Sequence, residues 1–305
     1  MGMKKYPESL QDFFDIFKTE EDCRDYLAQV SFVEGFICKY CKGTEYWKFK
    51  KGIYRCQSCK KDISLTAGTI LHKRHLSLKT WFLAMWLIVS RKSGISGVSL
   101  AGELGLKRDD TGWQLLSTIR EGMIRPGRDK ISGMVEVDEI FVGGVHKGKR
   151  GRGAEGKVMV LVAIEDTGIG KGIKGMGRIR LSIITDASSE TLCRAIETMV
   201  EPGSTIRTDQ WISYPAVIKN GYKHIAVERG LIGLPGEDPT PLVHRVASLL
   251  KRWLLGTHQG RVNEEHLHKY LNEFVFRFNR RKSKSRGMLF YRLIQGMLLV
   301  LDKKG

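Results

Sequence analysis

Asp138 is the residue of this sequence whose setting first suggests chemistry. It stands within an apolar run at 134–142, in which Val135, Val137 and Phe141 alternate with Met134, Ile140 and Val142. A run without polar alternation is typical of a strand covered on both faces. Burying a carboxylate is costly without a cation or hydrogen bonds to compensate it. Asp138 is therefore either a metal ligand or hydrogen-bonded at the strand's edge.

Asp209 supplies a second carboxylate, at the end of a candidate strand at 204–209. Two carboxylates a few ångströms apart repel each other unless a cation neutralises them, and Mg²⁺ or Mn²⁺ does so through oxygen ligands. Two such ions about 4 Å apart activate water or a 3′-hydroxyl and stabilise the leaving oxygen in phosphodiester chemistry. Asp138 and Asp209 predict such a Mg²⁺ or Mn²⁺ site if the fold places them together.

The order of the predicted elements indicates how these aspartates meet. Strands are predicted at 134–142, 158–164 and 178–184, then a helix at 188–200, the strand that ends at Asp209 and a further helix. Three meandering strands, a helix, a strand and a helix make the ribonuclease-H-like pattern, whose first and fourth strands are neighbours. We therefore predict an α+β (mixed α/β) fold with a ribonuclease-H-like catalytic domain, in which Asp138 lies beside Asp209.

Four of the six cysteines form two pairs with fourteen residues between them, Cys38 with Cys41 and Cys56 with Cys59. Two such knuckles place four thiolates tetrahedrally around Zn²⁺, and the alternating residues between them predict a hairpin. The alternatives are two disulfides, which a reducing compartment disfavours, or four unligated thiols. The lysines of this zinc ribbon suit either contact with a phosphate backbone or the solvated surface of a structural staple.

Two short helices are predicted between residues 98 and 120, with a turn at Gly105. If Asp109 or Asp110 caps the second helix, the pair forms a helix-turn-helix whose second helix enters the major groove of DNA. The alternative is an ordinary helical hairpin. An apolar helix at 72–89 and one or two helices at 10–33 precede it.

The charge of the chain favours a polyanionic partner. Fifty-one Lys and Arg residues oppose 33 Asp and Glu residues, which leaves a formal net charge of +18. Nucleic acid is the most economical partner for such an excess. The first residues turn polar before an apolar run develops, and no run reaches the ~20 apolar residues of a membrane span. We therefore expect a cytoplasmic, nucleoid-associated protein without a membrane partner.

Several of these motifs together resemble the DDE transposases of bacterial insertion sequences, specifically the zinc-ribbon-bearing group related to Merlin elements. The carriers are the double cysteine pair, Val-Asp-Glu-Ile-Phe-Val-Gly-Gly around Asp138, Thr-Asp-Gln-Trp-x-x-Tyr around Asp209, and the blocks at 244–258 and 266–281. The resemblance covers nearly the whole chain from Cys38 to about Arg281. It implies double-stranded DNA as the partner, both element terminal repeats and target DNA, and a homo-oligomer on that DNA.

The resemblance also implies a third acid about 35 residues after the second, on a helix, and a basic residue seven positions further. These intervals lead from Asp209 to His244 and Lys251. Imidazole can ligate Mn²⁺ or act as a base, but it is a poorer Mg²⁺ ligand than a carboxylate. The alternative is a helix-face histidine without a metal, with Glu273 as the reserve candidate for the third acid.

Basic residues in three segments are expected to contact the DNA backbone. They are Lys149 and Arg150 in a glycine-rich loop, Arg252 on the His244 helix, and Arg280 and Arg281 after an aromatic helix. The expected domains are a zinc-ribbon DNA-binding module with an N-terminal helix (1–75), a helix-turn-helix (76–127) and a ribonuclease-H-like transposase domain (128–305).

These features predict a transposase that binds element ends, cleaves DNA and transfers strands. Three alternatives stay open at this point. A catalytically decayed or domesticated sequence-specific DNA-binding protein is favoured by His244. A nuclease without joining activity fits the paired acids, although the long DNA-reading region argues against it. A zinc-ribbon transcription factor leaves the two-acid sheet unexplained.

Overall fold

The computed structural model describes residues 6–124, 127–143, 157–168, 175–209, 221–228, 238–259 and 264–299. These residues form two compact units. Unit 1 contains the described residues up to 124 together with those from 282 onward, and unit 2 contains those from 127 to 281. Among the described residues, no helix is long and apolar enough to cross a lipid bilayer.

Unit 1 begins with the helices α1 (Leu10–Ile16) and α2 (Glu20–Ser31). Each starts with a capping box, built by Ser9 and Asp12 in α1 and by Thr19 and Asp22 in α2. The strands β1 (Tyr46–Phe49), β2 (Ile53–Cys56) and β3 (Asp62–Ser64) follow and pair antiparallel in that order. The hairpin predicted between the cysteine pairs is confirmed.

Helix α3 (Leu78–Ser90) starts later than the predicted position 72. The hydroxyl of Ser77 accepts the backbone N–H of Thr80 and so caps the helix there. The helices α4 (Gly97–Glu103) and α5 (Asp109–Glu121) then form the predicted pair, with Gly105 at φ +62° between them. The expected cap at Asp109 or Asp110 is wrong, because Arg108 is the N-cap residue and both aspartates lie in the first turn.

Helix α9 (Arg286–Met297) completes unit 1 by packing against α2 and α3. Phe290 is fully buried there, within 6.1 Å of the ring centroids of Phe13, Phe17, Phe82 and Trp86. The described residues 282–299, which the sequence groups with the third domain, thus pack with the N-terminal modules.

Unit 2 is built on a five-stranded sheet. Its strands are β4 (Met134–Gly143), β5 (Lys157–Asp166), β6 (Met176–Ile184), β7 (Thr205–Asp209) and β8 (Lys223–Val227). The spatial order is β6-β5-β4-β7-β8, with the β4–β7 and β7–β8 pairs parallel and the others antiparallel. The first and fourth strands of this sheet are therefore neighbours, as predicted, and the mixed α/β architecture is consistent with a ribonuclease-H-like fold.

Helices cover both faces of this sheet. Ile140 and Val142 of β4 pack in one core with α7 (Pro241–His258) and α8 (Glu264–Asn279). Val135 and Val137 pack in a second core with α6 (Ser189–Met199). Since side chains alternate along a strand, Asp138 shares the α7 face with Ile140.

Candidate active site

The parallel pairing of β4 with β7 brings Asp138 and Asp209 to the same end of the sheet. Met134 pairs with Thr205 and Glu136 with Arg207, so residues 71 apart in the sequence lie opposite each other. Asp138 and Asp209 have the same separation, just beyond the last of these pairs. Asp209 is the final residue of β7. The arrangement expected from the predicted strand order is therefore present.

Asp138 is buried, with 5% of its surface exposed. Its Oδ1 accepts the backbone N–H of Glu139 at 2.8 Å, and its Oδ2 accepts the hydroxyl of Thr240 at 2.9 Å. Burial raises the pKa of Asp138 to about 6; the charges of Glu139 and Asp209 act in the same direction, and the hydrogen bond from Thr240 opposes them. A divalent cation would compensate such a buried, mutually repelling pair of carboxylates.

His244 lies one turn after Thr240 on α7 and is turned towards Asp138. Its Nε2 is 3.6 Å from Asp138 Oδ2, and its Nδ1 is 2.8 Å from Asp238 Oδ2. A proton on Nδ1 would be donated to Asp238, which leaves the Nε2 lone pair on the side of Asp138. A metal-ligating histidine commonly donates a hydrogen bond from the N–H of its other ring nitrogen to a carboxylate in this way.

Glu136 joins the strand of Asp138 to the helix of His244. Its side chain is buried, with 1% exposed, and its Oε2 accepts the backbone N–H groups of Leu242 at 2.8 Å and Val243 at 3.3 Å. Arg207 Nη1 lies 3.7 Å from its Oε1. Because the first N–H groups of a helix have no partner within the helix, this carboxylate holds the N-terminus of α7 against β4.

A cavity of about 490 Å³ opens beside this group. Its lining includes Glu139, Phe141, Lys157, His244, Ser248 and Lys251. Residues seven apart on a helix lie two turns apart on one face, and His244 and Lys251 accordingly line the same cavity. The cavity thus joins the predicted third site residue to its predicted basic partner.

The donor atoms of Asp138, Asp209 and His244 suit a hard divalent cation, with the imidazole favouring Mn²⁺ over Mg²⁺. These atoms are more widely spaced than those of a closed metal cage. Within the described ranges, only the four cysteines form a group of three or more such residues whose ligand atoms all lie within 4.8 Å of one another.

The four cysteine sulfurs of unit 1 fit Zn²⁺. Cys38 Sγ is 3.6 Å from Cys59 Sγ, and Cys41 Sγ is 3.5 Å from Cys56 Sγ. A tetrahedral site with Zn–S bonds of about 2.3 Å requires edges of about 3.8 Å, whereas a disulfide requires about 2.05 Å. The backbone N–H of Cys59 lowers the pKa of Cys56 to about 6, whereas hydrogen bonds with the neighbouring thiols raise the pKa of Cys41, so a cation is needed to hold all four sulfurs as thiolates.

Glu273 has a different environment from the one expected of a reserve third acid. Its side chain is fully buried, and its Oε1 accepts Arg277 Nε at 2.7 Å within α8. This carboxylate is neutralised by a cation of its own helix. The geometry therefore favours His244 over Glu273 as the third member of the site.

The expected DNA-contacting residues fall into three groups. Arg252 is exposed on α7. Arg281 is half-buried and donates to the carbonyls of Phe278, Gly177 and Met176, and burial lowers its pKa. Arg280 donates to the carbonyl of Phe276 at 3.2 Å and stacks on its ring. Arg281 thus links α8 to β6. Lys149 and Arg150 lie outside the described residues, and so does the helix predicted after Asp209.

Three residues of the site escaped the sequence-based prediction. They are Thr240, Glu136 and Asp238. A signal for Glu136 was available, since it lies two residues before Asp138 and so shares its face. No comparable signal links Asp238 to His244, because that contact depends on the turn before α7.

Comparison with known proteins gives two family matches and one relative. The model of the ISXO2-like transposase domain matches residues 130–279, and that of the transposase zinc-ribbon domain matches residues 18–62. The first range contains Asp138, Asp209, His244 and Lys251, and the second contains all four paired cysteines. An uncharacterized protein in the transposable element ISH50 of Halobacterium salinarum is 26% identical over 289 residues, covering 86% of this chain and 91% of that protein.

Proposed function

Because the chain belongs to the IS1595 family of transposases, we propose that it cleaves DNA at the ends of its insertion sequence and joins those ends to target DNA. The observation that carries the proposal is the convergence of Asp138, Asp209 and His244 at one end of the sheet. Asp238 and Thr240 hold two of these side chains in place. A histidine left over from a decayed site would have no need of such supports.

In this proposal Asp138 and Asp209 provide oxygen ligands and His244 provides Nε2 for Mg²⁺ or Mn²⁺. The bound ion would polarise the phosphate and lower the pKa of the attacking water or 3′-hydroxyl. Lys251 binds a phosphate oxygen of the DNA in the cavity it shares with His244. Glu136 keeps His244 in reach of Asp138 by fastening α7 to β4.

The remaining modules would deliver the DNA. The zinc ribbon and the helix-turn-helix bind the double-stranded terminal repeats, and the net charge of +18 supports contact with target DNA. Arg252, exposed beside Lys251, contacts the phosphate backbone. Since strand transfer needs two ends held together, a homo-oligomer forms on the DNA, by analogy with the family.

The test is strand transfer of a pre-cleaved end of the encoding element into a plasmid, with Mg²⁺ and with Mn²⁺. We expect Asp138→Asn and Asp209→Asn to reduce joining to background and His244→Ala to reduce it strongly. His244→Glu should restore joining, with a shift of preference towards Mg²⁺. Glu190→Gln, an exposed change on α6 at the other face of the sheet, is the matched control and should join normally.

Two outcomes would redirect the proposal. Unimpaired joining by His244→Ala would remove His244 from the site. Tight binding of element ends without joining by the unaltered chain would favour the alternative, a catalytically decayed or domesticated sequence-specific DNA-binding protein.

A further inference from the structure

A second cavity, of about 290 Å³, lies within unit 1. It is bordered by α2, by the turn Lys50–Gly52 between β1 and β2, and by the segment that leads from β3 to α3. Its lining includes Glu20, Arg24, Lys51, Lys73, Arg74 and Trp81. The volume is at the lower end of the ~300–1,000 Å³ found for small-molecule pockets, which suits a phosphate group better than a larger ligand. We call it the lysine cleft.

The charges of the lysine cleft are largely uncompensated. Among the described residues that line it, Glu20 is the one acid. Both of its oxygens accept backbone N–H groups at the start of α3, from Leu78 at 2.8 Å and Lys79 at 3.1 Å. Arg24 pairs with Glu21 at 3.0 Å. Within the described part of the chain, neither Lys51 nor Lys73 has a carboxylate at ion-pair distance. Two ammonium groups are therefore available at the cleft for an anion.

Both lysines occupy a backbone conformation that lysine adopts rarely. The φ angle is +62° at Lys51 and +52° at Lys73, in the left-handed region. Glycine or asparagine adopts this region at lower cost, because the Cβ of other L-residues crowds the backbone there. A lysine at such a position is conformationally unfavourable, so a use for its ammonium group is the natural hypothesis.

Trp81 also lines the cleft, with only 3% of the residue exposed. Its indole nitrogen is buried and has no hydrogen-bond acceptor among the described residues. A ligand in the cleft does not reach this nitrogen, so Trp81 contributes apolar surface, and the charged groups available to an anion are those of the lysines.

We propose that the lysine cleft binds a backbone phosphate of double-stranded DNA through Lys51 and Lys73. This inference rests on the proposed function, because DNA is the polyanion that a transposase handles. It adds a specific phosphate site to unit 1, formed jointly by the zinc ribbon and the segment before α3. A free phosphate ion has the same chemistry, and the experiment separates the two sources.

The test measures the affinity of the full chain for a fluorescently labelled duplex that carries an element end, across a range of salt concentrations and without Mg²⁺ or Mn²⁺. The double variant Lys51→Gly with Lys73→Gly removes both charges and suits the left-handed backbone. We expect it to weaken binding roughly 10- to 100-fold at 0.1 M salt and to reduce the slope of log K against log salt by about 1, the value for one lost phosphate contact. Its zinc content should be unchanged, and its thermal midpoint should be unchanged or higher.

The matched control is the double variant Lys42→Gly with Lys60→Gly. These lysines also have left-handed φ angles, +64° and +60°, and follow Cys41 and Cys59 on the zinc ribbon, but they do not line the cleft. The control removes the same charge from the same unit. Equal losses in the two double variants would mean that affinity follows net charge alone, and that result would overturn the proposal.

Inorganic phosphate distinguishes the second source. If it raises the thermal midpoint of the unaltered chain at constant ionic strength, and the Lys51→Gly, Lys73→Gly variant loses this effect but binds DNA normally, the cleft takes a free anion and the DNA assignment is overturned. Binding without metal does not require cleavage. A chain that needs the cleft for binding but never joins strands would refute the proposed function and leave this inference intact.

Discussion

Burial gives Asp138 both its chemical character and a cost in folding free energy. Its carboxyl group has a pKa of about 6 in the folded chain against a usual value of 3.8. A carboxyl group with a raised pKa penalises the folded state when it is ionised. The penalty is absent below about pH 4, develops as the pH rises through the folded pKa, and reaches about 3 kcal/mol above it.

We therefore predict that Asp138→Asn stabilises the chain in buffer without Mg²⁺ or Mn²⁺. The free energy of unfolding should rise by about 1–3 kcal/mol at pH 7.5 and by less at pH 5, as measured by urea unfolding. Asp186→Asn is a control of opposite sign. Hydrogen bonds from Ser188 lower the pKa of Asp186, so its removal should destabilise the chain at pH 7.5. An equal effect of Asp138→Asn at both pH values would contradict the prediction.

Asp238 is predicted to act through His244. The change Asp238→Asn keeps an oxygen that can accept the backbone N–H of Thr240, now 3.1 Å from Asp238 Oδ1, but removes the carboxylate from His244 Nδ1. Loss of such a partner typically lowers metal affinity by about 10- to 100-fold. A titration of strand transfer with Mn²⁺ should show its midpoint raised by that factor, with recovery at saturating metal. An unchanged midpoint would leave Asp238 with a role only in the turn before α7.

At the scale of elements, two glycines determine how closely α4 and α5 pack. A Cβ on Gly112 would lie 2.3 Å from the carbonyl oxygen of Gly97, so the two backbones are in direct contact. We predict that Gly112→Ala destabilises unit 1 by about 1–3 kcal/mol and weakens DNA binding, because the helices must move apart. Thermal unfolding and DNA titration would measure the two effects.

Gly102 of α4 is the matched control for that change. No heavy atom lies within 4 Å of a Cβ built there, and its φ is not positive. Gly102→Ala should therefore stabilise the chain by up to about 1 kcal/mol through helix propensity. Destabilisation by both changes would contradict the packing argument for Gly112.

The stability of the zinc ribbon is expected to depend on bound Zn²⁺. A short three-stranded sheet buries little apolar surface, so metal binding supplies much of its folding free energy. We predict one zinc per chain in the unaltered protein, none in Cys56→Ser, and rapid proteolysis of residues 38–64 in that variant. Cys193→Ser, outside the cluster, is the control. One retained zinc in Cys56→Ser would contradict the four-sulfur site.

At the scale of the molecule, the last helix, α9, packs in unit 1 with the N-terminal helices α2 and α3. Helix α9 buries Phe290, Leu293, Ile294 and Met297 in unit 1. Truncation after Arg281 removes all four, and each such loss alone costs about 2–5 kcal/mol. Four such losses cost about 8–20 kcal/mol, which is as large as the 5–15 kcal/mol stability of a typical domain. Limited proteolysis with mass spectrometry should find cleavage within α1–α3 and protection of β4–β7. Protection of α1–α3 would contradict this.

Local patterns in the sequence determined most of the elements. The period of the apolar residues located β4 to β7 and α6, and the spacing of the cysteines located the ribbon, because these signals come from neighbouring residues. The order of the elements then placed Asp138 beside Asp209, since the ribonuclease-H-like pattern makes their strands neighbours. Helix boundaries were less accessible: the starts of α3 and α5 depend on which hydroxyl or backbone group satisfies the first N–H groups.

Only the tertiary structure decided which side chains meet across long separations. Glu136 contacts the start of α7 more than a hundred residues later, and Thr240 reaches Asp138 over the same gap. Arg281 reads as a DNA contact in the sequence, yet carbonyls of β6 and α8 accept its hydrogen bonds. The sequence likewise did not predict that α9 packs in unit 1. The apolar periodicity of a helix shows which of its faces is buried but not which element that face packs against. Hydrophobic burial is non-directional, so the packing partner depends on the assembled core.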